Sequence, residues 1–322
     1  MFAAAYETNG SPDVLKYIEL PDPIVRRGGV LIQIEAIGIQ GGDTLNRAGG
    51  ALVTNPHVVG YQASGTIIEC GDGVTERKLG DRVVATMAFG SHASMASVPA
   101  SSTWLIPDSM SFETAAGIPV EFGTADDCLF EFGRLQAGET VLIQAGAGGV
   151  GLAAIQLAKA AGATVIATAS GEERVARLAR YGMDHGINYA TKNVATEVRE
   201  ITNGKGVDLV VDPVGGAVLE SSIACLGYRG RISWVGQAGR EAHNPAVWPL
   251  MEKNASLTGV FLGIELVMHP ERAHPLIARL VERIGAGELD VVVDSVFPLQ
   301  EAAQAHRHIE SRTAFGRVVL KP

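Results

Sequence analysis

The run Val141-Leu-Ile-Gln-Ala-Gly-Ala-Gly-Gly-Val-Gly-Leu152 constrains the fold of this chain more than any other stretch. A short apolar segment ends in Gly146-x-Gly148-x-x-Gly151, and helical spacing follows at Leu152, Ile155, Gln156 and Lys159. A strand, glycine turn and helix in this order grip the pyrophosphate of a dinucleotide. The spacing assigns Gly146 the tight turn, Gly148 the approach of backbone to phosphate oxygens, and Gly151 the close packing of helix on strand. The opening amides of the helix, unpaired by geometry, face the anion. With 39 glycines in the chain, the spacing also fits a bare turn with no ligand. Its surroundings favour the ligand. Gly162 stands as a C-terminal stop and residues 164–168 as a second strand, which completes a strand–helix–strand unit of about 30 residues.

At 322 residues, two domains are expected. Apolar residues make up 47% and charged ones 19%, enough for full-sized cores. The net charge of -9 argues against nucleic acid or an anionic membrane as partner. No apolar run reaches the roughly 18–20 residues of a membrane span. Met1-Phe-Ala-Ala-Ala-Tyr6 lacks the basic start and long apolar stretch of a secretory signal, so it reads as a first strand and the expected location is the cytoplasm. Cys70, Cys128 and Cys225 are far apart, without metal spacing, and read as isolated reduced thiols.

Residues 1–110 read as β-rich and barrel-like, with Gly and Pro punctuating strand-like runs such as Val30–Gly38. After Pro107 the pattern changes, and Ser111 caps a helix. From 141 to about 262, strands at 141–145, 164–168, 186–189, 207–212, 231–235 and 256–262 alternate with helices, the pattern of a doubly wound parallel sheet. The remainder, helix 271–285, strand 291–297, helix 299–311 and strand 315–320, exceeds that sheet and is expected to return to the first domain. The expected domains are therefore 1–122 with 263–322, and 123–262.

A site that prefers NAD carries Asp or Glu at the tip of the second strand, about 20 residues past the glycines. Here that tip reads Thr168-Ala-Ser-Gly171, with Arg174 one turn into the next helix. A guanidinium there suits a 2′-phosphate, so NADPH is expected. Ser170-Gly-Glu-Glu173 also forms a capping box with Ser170 at the N-cap, and Glu172 or Glu173 turned inward would repel a phosphate. Read for packing alone, Arg174 is a solvated helix residue, and Tyr189 and Phe261 are core side chains.

Ordered motifs run nearly end to end: Ala36-Ile-Gly-Ile-Gln-Gly-Gly-Asp43, Val59-Gly-Tyr-Gln-Ala-Ser-Gly65, Gly80-Asp-Arg-Val83, Leu135-Gln-Ala-Gly-Glu-Thr-Val-Leu142, the glycine turn, Val207-Asp-Leu-Val-Val-Asp212 and Phe315-Gly-Arg-Val-Val-Leu320. In these the chain resembles the medium-chain dehydrogenase/reductase superfamily, within it the zinc-free quinone oxidoreductase, zeta-crystallin-like branch. The resemblance implies an α/β protein with a GroES-like β-barrel domain and a Rossmann domain. Zinc alcohol dehydrogenases of the superfamily place a cysteine ligand where this chain has Gln40 and a His-Glu pair where it has Tyr61-Gln62. They also carry a four-cysteine zinc lobe that is missing here, so no metal is expected. By position, the resemblance implies NADPH contacts at Thr124, at Gly146, Ala147, Gly148, Gly149, Val150 and Gly151, at Ser170, Arg174 and Tyr189, at Val235-Gly236-Gln237, at Phe261-Leu262, and at Arg312.

Hydride reaching a conjugated carbonyl builds negative charge on oxygen, which a donor must meet. Gln40 is the first candidate and Tyr61 the second, with Thr124 expected beside the nicotinamide carboxamide. Asp43, Arg47 and His92 are weaker, Asp43 ordering its loop and His92 lying on a surface strand. Several relatives have tyrosine where this chain has Leu45, which fits a more apolar acceptor. The expected activity is NADPH-dependent reduction of a quinone. Reduction of an enone or enal C=C bond is the near alternative, and an NADPH-binding protein without turnover the further one. The resemblance also implies a homodimer.

Overall fold

The computed structural model describes residues 1–322. They form two units, residues 1–120 with 275–322, and residues 121–274. In chain order the first stretch holds β1 (Phe2–Tyr6), β2 (Lys16–Glu19), β3 (Gly29–Gly38), α1 (Gly41–Gly49), β4 (His57–Val58), β5 (Gln62–Cys70), β6 (Arg82–Thr86), β7 (Met95–Pro99), β8 (Thr103–Leu105), α2 (Phe112–Ala115) and α3 (Pro119–Asp126). Then follow β9 (Thr140–Ile143), α4 (Gly149–Ala160), β10 (Thr164–Ala169), α5 (Glu172–Leu178), β11 (His185–Asn188), α6 (Val194–Ile201), β12 (Val207–Asp212), α7 (Gly216–Cys225) and β13 (Leu226–Trp234). The chain closes with α8 (Trp248–Glu252), β14 (Ser256–Gly259), α9 (Leu262–Met268), α10 (Pro270–Gly285), β15 (Val293–Pro298), α11 (Ala302–Glu310) and β16 (Arg317–Lys321).

In the first unit, β3 is the organising strand. Its Val30, Ile32, Ile34 and Ile37 are buried against Ile67, Val83, Val318 and Leu320. It pairs with β5, β7 and β16, within a sheet ordered β15-β16-β3-β5-β6-β8, while β2-β1-β4 forms a smaller sheet. The expected barrel-like arrangement is antiparallel with one exception. β15 and β16 run parallel, because α11 intervenes and carries the chain back before it pairs. Ser111 caps α2 as expected, its Oγ accepting the Thr114 amide at 3.1 Å.

The second unit is a six-stranded parallel sheet ordered β11-β10-β9-β12-β13-β14. Its inner strands β9, β10 and β12 are largely apolar and buried, as cover on both faces requires, with Leu142, Ile166, Val210 and Ile232 in its core. From β9 the chain crosses to β10 on one side, and from β12 to β13 on the other. The crevice at the strand C-termini therefore opens between β9 and β12, where ligands bind in sheets of this kind.

The helix α9 and the first turn of α10 group with the second unit, beyond the expected switch after Leu262. Arg272 explains it, donating to buried Asp127 at 2.6 Å and to Glu265 at 2.7 Å. Burial keeps the Asp127 carboxyl above its ordinary range even though Arg272 acts to lower it. No helix is long and apolar enough to cross a membrane.

Candidate functional site

The glycine turn leaves the end of β9 and opens α4, as its spacing predicts. The division of labour among its residues differs from expectation. The left-handed residue is Ala145, at φ 51, and not Gly146. Gly146 is required for proximity instead: a Cβ there would stand 3.1 Å from the Ala167 Cβ and 3.2 Å from the Thr168 carbonyl oxygen of β10. At Gly151 a Cβ would meet the Ala145 oxygen at 2.4 Å, so helix and turn touch backbone to backbone. Gly148 is exposed, and a Cβ there would meet only the Ala145 oxygen, at 3.4 Å. Leu152 is the first amide of α4 to reach back to the turn, bonding the Gly148 oxygen at 2.9 Å. The amides of Gly149, Val150 and Gly151 precede it as the opening donors of the helix, beside buried Ala147.

Ser170 and Arg174 lie at the adjoining strand end. Here the capping-box expectation is corrected. The N-cap of α5 is Gly171, at φ 80, and no side chain caps it. Ser170 Oγ accepts instead from Arg174 Nη1 at 2.9 Å, which presents a hydroxyl and a guanidinium together. Asn188, at the end of β11, shapes this corner. Its Oδ1 accepts the Gly171 amide at 3.0 Å and its Nδ2 donates to Glu172 at 2.7 Å, so that carboxylate is already engaged. The sequence reading missed Asn188, although it directly precedes Tyr189. The signal was a short amide at a strand end opposite a glycine-led helix.

Tyr189 and Phe261 are not core side chains: they are 47% and 66% exposed. Tyr189 follows β11 and bonds the Ala169 carbonyl through its amide at 3.2 Å. Phe261 precedes α9, and Leu262 behind it is buried. Val235, Gly236 and Gln237 follow β13, with the Val235 amide on the Asp212 carbonyl at 2.9 Å. The parallel sheet thus brings the glycine turn, Ser170, Arg174, Tyr189, Val235–Gln237 and Phe261–Leu262 to one edge. Thr124 is buried on α3 in the same unit. Arg312 lies in the first unit, exposed after α11 at φ 59.

The acceptor-side candidates gather at the start of α1. Gln40 is its N-cap: its side chain accepts from the Asp43 backbone, and the Asp43 carboxylate accepts the Gln40 amide at 2.8 Å. The Tyr61 hydroxyl packs over Gly42, 2.5 Å from where a Cβ would stand. Gln40, Asp43 and Tyr61 therefore share one neighbourhood. Gln62 is spent on structure, donating to the Ala116 carbonyl and accepting the Val120 amide at 2.6 Å. His92 is not on a surface strand; it is wholly buried, as is Arg47. The three cysteines are free thiols, and burial pushes that of Cys225 up to about 12. No three His, Cys, Asp or Glu side chains converge as metal ligands would.

Comparison with known proteins agrees with this geometry. Residues 26–108 match the alcohol dehydrogenase GroES-like domain, and residues 149–279 match the family described as zinc-binding dehydrogenase. The chain is 33% identical to 2-haloacrylate reductase of Burkholderia sp., over 100% of this chain and 99% of the relative. It is 33% identical to the synaptic vesicle membrane protein VAT-1 homolog of Homo sapiens, over 92% of this chain and 79% of that one. Among solved structures, quinone oxidoreductase of Escherichia coli complexed with NADPH superposes with a TM-score of 0.94 at 30% identity, covering 100% of both chains.

Proposed function

From the premise that this chain belongs to the quinone oxidoreductase-like family of the medium-chain dehydrogenase/reductase superfamily, we propose that it is a zinc-independent, NADPH-dependent reductase of quinones. The observation that carries the cofactor choice is the corner at β10, where an acid is absent and Arg174 stands on Ser170 at 2.9 Å. That pair fits a 2′-phosphate, and exposed Gly148 with the opening amides of α4 fits the pyrophosphate. Tyr189, Val235–Gln237 and Phe261 flank the same strand ends.

When bound, the nicotinamide supplies the hydride. The chain's own part is to orient and to meet charge. Thr124 holds the carboxamide end. The amide of Gln40 donates to the acceptor oxygen as charge builds there, and the phenol of Tyr61 donates a proton to it. Gln40 suits that task because the capping bonds fix its position.

A second reading, reduction of an activated C=C bond, is favoured by the reductase relative that acts on haloacrylate and by Leu45, which offers no donor. Oxidation of NADPH, followed by nicotinamide absorbance over a panel of quinones, enones and haloacrylates, tests both. Turnover of quinones is expected; turnover of alkenes alone would replace the first reading with the second. Binding of NADPH with no acceptor consumed would leave a dinucleotide-binding protein. The reading includes a homodimer in the cytoplasm. Val247, Trp248, Met251 and Val267 stand exposed near β14, an edge strand, and light scattering of the purified chain tests it.

A further inference from the structure

Beneath the glycine turn runs a line of buried side chains that the proposed chemistry does not use. The Ala145 amide donates to Thr168 Oγ1 at 3.1 Å, and the Thr168 hydroxyl donates to Gln144 Oε1 at 2.8 Å. Gln144 Nε2 donates to Ser222 Oγ at 3.1 Å, and the Ser222 hydroxyl donates to Asp212 Oδ2 at 2.7 Å. The other Asp212 oxygen accepts the amides of Val214 at 2.8 Å and Gly215 at 2.9 Å. All four side chains are buried, Asp212 and Ser222 completely.

The line has one direction. A carboxylate only accepts, so Ser222 must spend its single proton on Asp212 and can only accept from Gln144. That places the NH₂ of Gln144 toward Ser222 and its oxygen toward Thr168. Thr168 must then donate, and its remaining lone pair takes the Ala145 amide. Turning the Gln144 amide over would require Ser222 to donate twice. One buried carboxylate thus sets the orientation of every group as far as Ala145.

The two ends of the line are the two bends that border the crevice. Ala145 is the left-handed residue that starts the glycine turn, and Thr168 also accepts the Gly146 amide on its carbonyl at 2.7 Å. Gly215 and Gly216, at φ 71 and 57, turn the chain from β12 into α7. β9 and β12 are neighbours at the point where the sheet changes direction.

We infer that Gln144, Thr168, Ser222 and Asp212 are positioning residues that aim the glycine turn and the β12–α7 turn as one unit toward the dinucleotide. This rests on the dinucleotide reading of the site. Ser222 lies on α7 with its side chain buried, yet it should govern cofactor affinity through Gln144 and Thr168.

The test is NADPH titration by nucleotide fluorescence on the purified full chain and on Thr168→Val, Thr168→Ser, Ser222→Ala and the Thr168→Val/Ser222→Ala double variant, with a melting curve for each. Steady-state rates with the best quinone or enone acceptor follow. Each single loss should weaken NADPH about fivefold, and the double variant little more than either, because one line is cut once or twice. Thr168→Ser should recover wild-type affinity within about twofold, as it keeps the hydroxyl. The KM for NADPH should rise with kcat retained, whereas partial unfolding would lower kcat at unchanged KM. If Thr168→Val fails to fold, Ser222→Ala with the same split in KM and kcat decides. Wild-type affinity in Ser222→Ala, multiplied losses in the double variant, or no rescue by serine overturns the inference while the dinucleotide reading stands. A wild-type chain that takes up no NADPH overturns both.

Discussion

His92 Nε2 lies 3.1 Å from His306 Nε2, with both rings wholly buried and edge to face. Arg47 Nη1 stands 3.3 Å from the other nitrogen of His306 and cannot accept, so that nitrogen must. His306 then carries its proton toward His92, and His92 carries its own toward the Val59 carbonyl. The arrangement works only with both rings neutral. It joins α1, α11 and the loop that bears Gly60, where a Cβ would stand 2.1 Å from the His92 ring.

Burial lowers His92 from its ordinary value to about 3, and burial lowers His57 in the same direction. The unfolded chain therefore binds more protons than the folded one below the ordinary histidine value. Stability is complete above about pH 6.5 and falls as pH drops toward 3, by about 1.4 kcal/mol per pH unit for His92 alone. Urea unfolding should be flat between pH 7.5 and about 6.5 and approach this slope toward about pH 5, before carboxylates titrate. His92→Gln should be less stable at pH 7.5 but flatter across that window. An equal slope in both proteins removes His92 as its source.

Gly148 and Gly151 should separate binding from folding. Gly151→Ala puts a methyl group 2.4 Å from the Ala145 oxygen, and is expected to cost about 1–3 kcal/mol in thermal or urea unfolding. Gly148→Ala meets only one atom, at 3.4 Å, and should melt within about 1 kcal/mol of wild type while losing most NADPH affinity. Equal melting of the two variants would contradict the roles assigned to them.

Arg174→Ala should weaken NADPH by about 10- to 100-fold, the worth of a charged hydrogen bond, and leave NADH within about twofold. Competitive titration with both nucleotides reads the ratio. Equal losses would assign Arg174 to packing on Ser170 alone.

Gln40 both caps α1 and is proposed to meet the acceptor oxygen, so two variants are needed. Gln40→Ser keeps a capping oxygen and should hold stability, while Gln40→Ala should lose about 1 kcal/mol. Both should lower kcat at least about tenfold with the KM for NADPH little changed. Unchanged kcat in the serine variant leaves Gln40 as a cap and nothing more.

The six strands of the second unit and the glycine turn were legible because each depends on its own neighbours: an apolar run, a bend, a helical stripe. What escaped depends on distant segments. Ser170 has the local pattern of a cap, but Asn188 from another strand takes the Gly171 amide, and the helix begins a residue later than the pattern says. His92 sits in a polar, strand-like stretch, and partners at Val59 and, 214 residues onward, at His306 make its burial tolerable. Tyr189 and Phe261 belong by type to a core, yet they stand at the exposed strand ends where the parallel sheet delivers them. Gln144 lies in the most readable stretch of the chain and Thr168 at the next strand end, and neither their bond to each other nor that of Gln144 to Ser222 on α7 carries a local mark.

β16 lies beside β3, Val319 opposite Gly38, and so the sheet that β3 begins takes in a strand from residues 317–321. On a ribosome, Ile37 and Gly38 at the end of β3 lack this neighbour until residues 317–321 emerge. The intervening unit has every strand it needs much sooner. Nascent chains of this protein should hence pass through a stage in which the middle is folded while the start still waits for the tail.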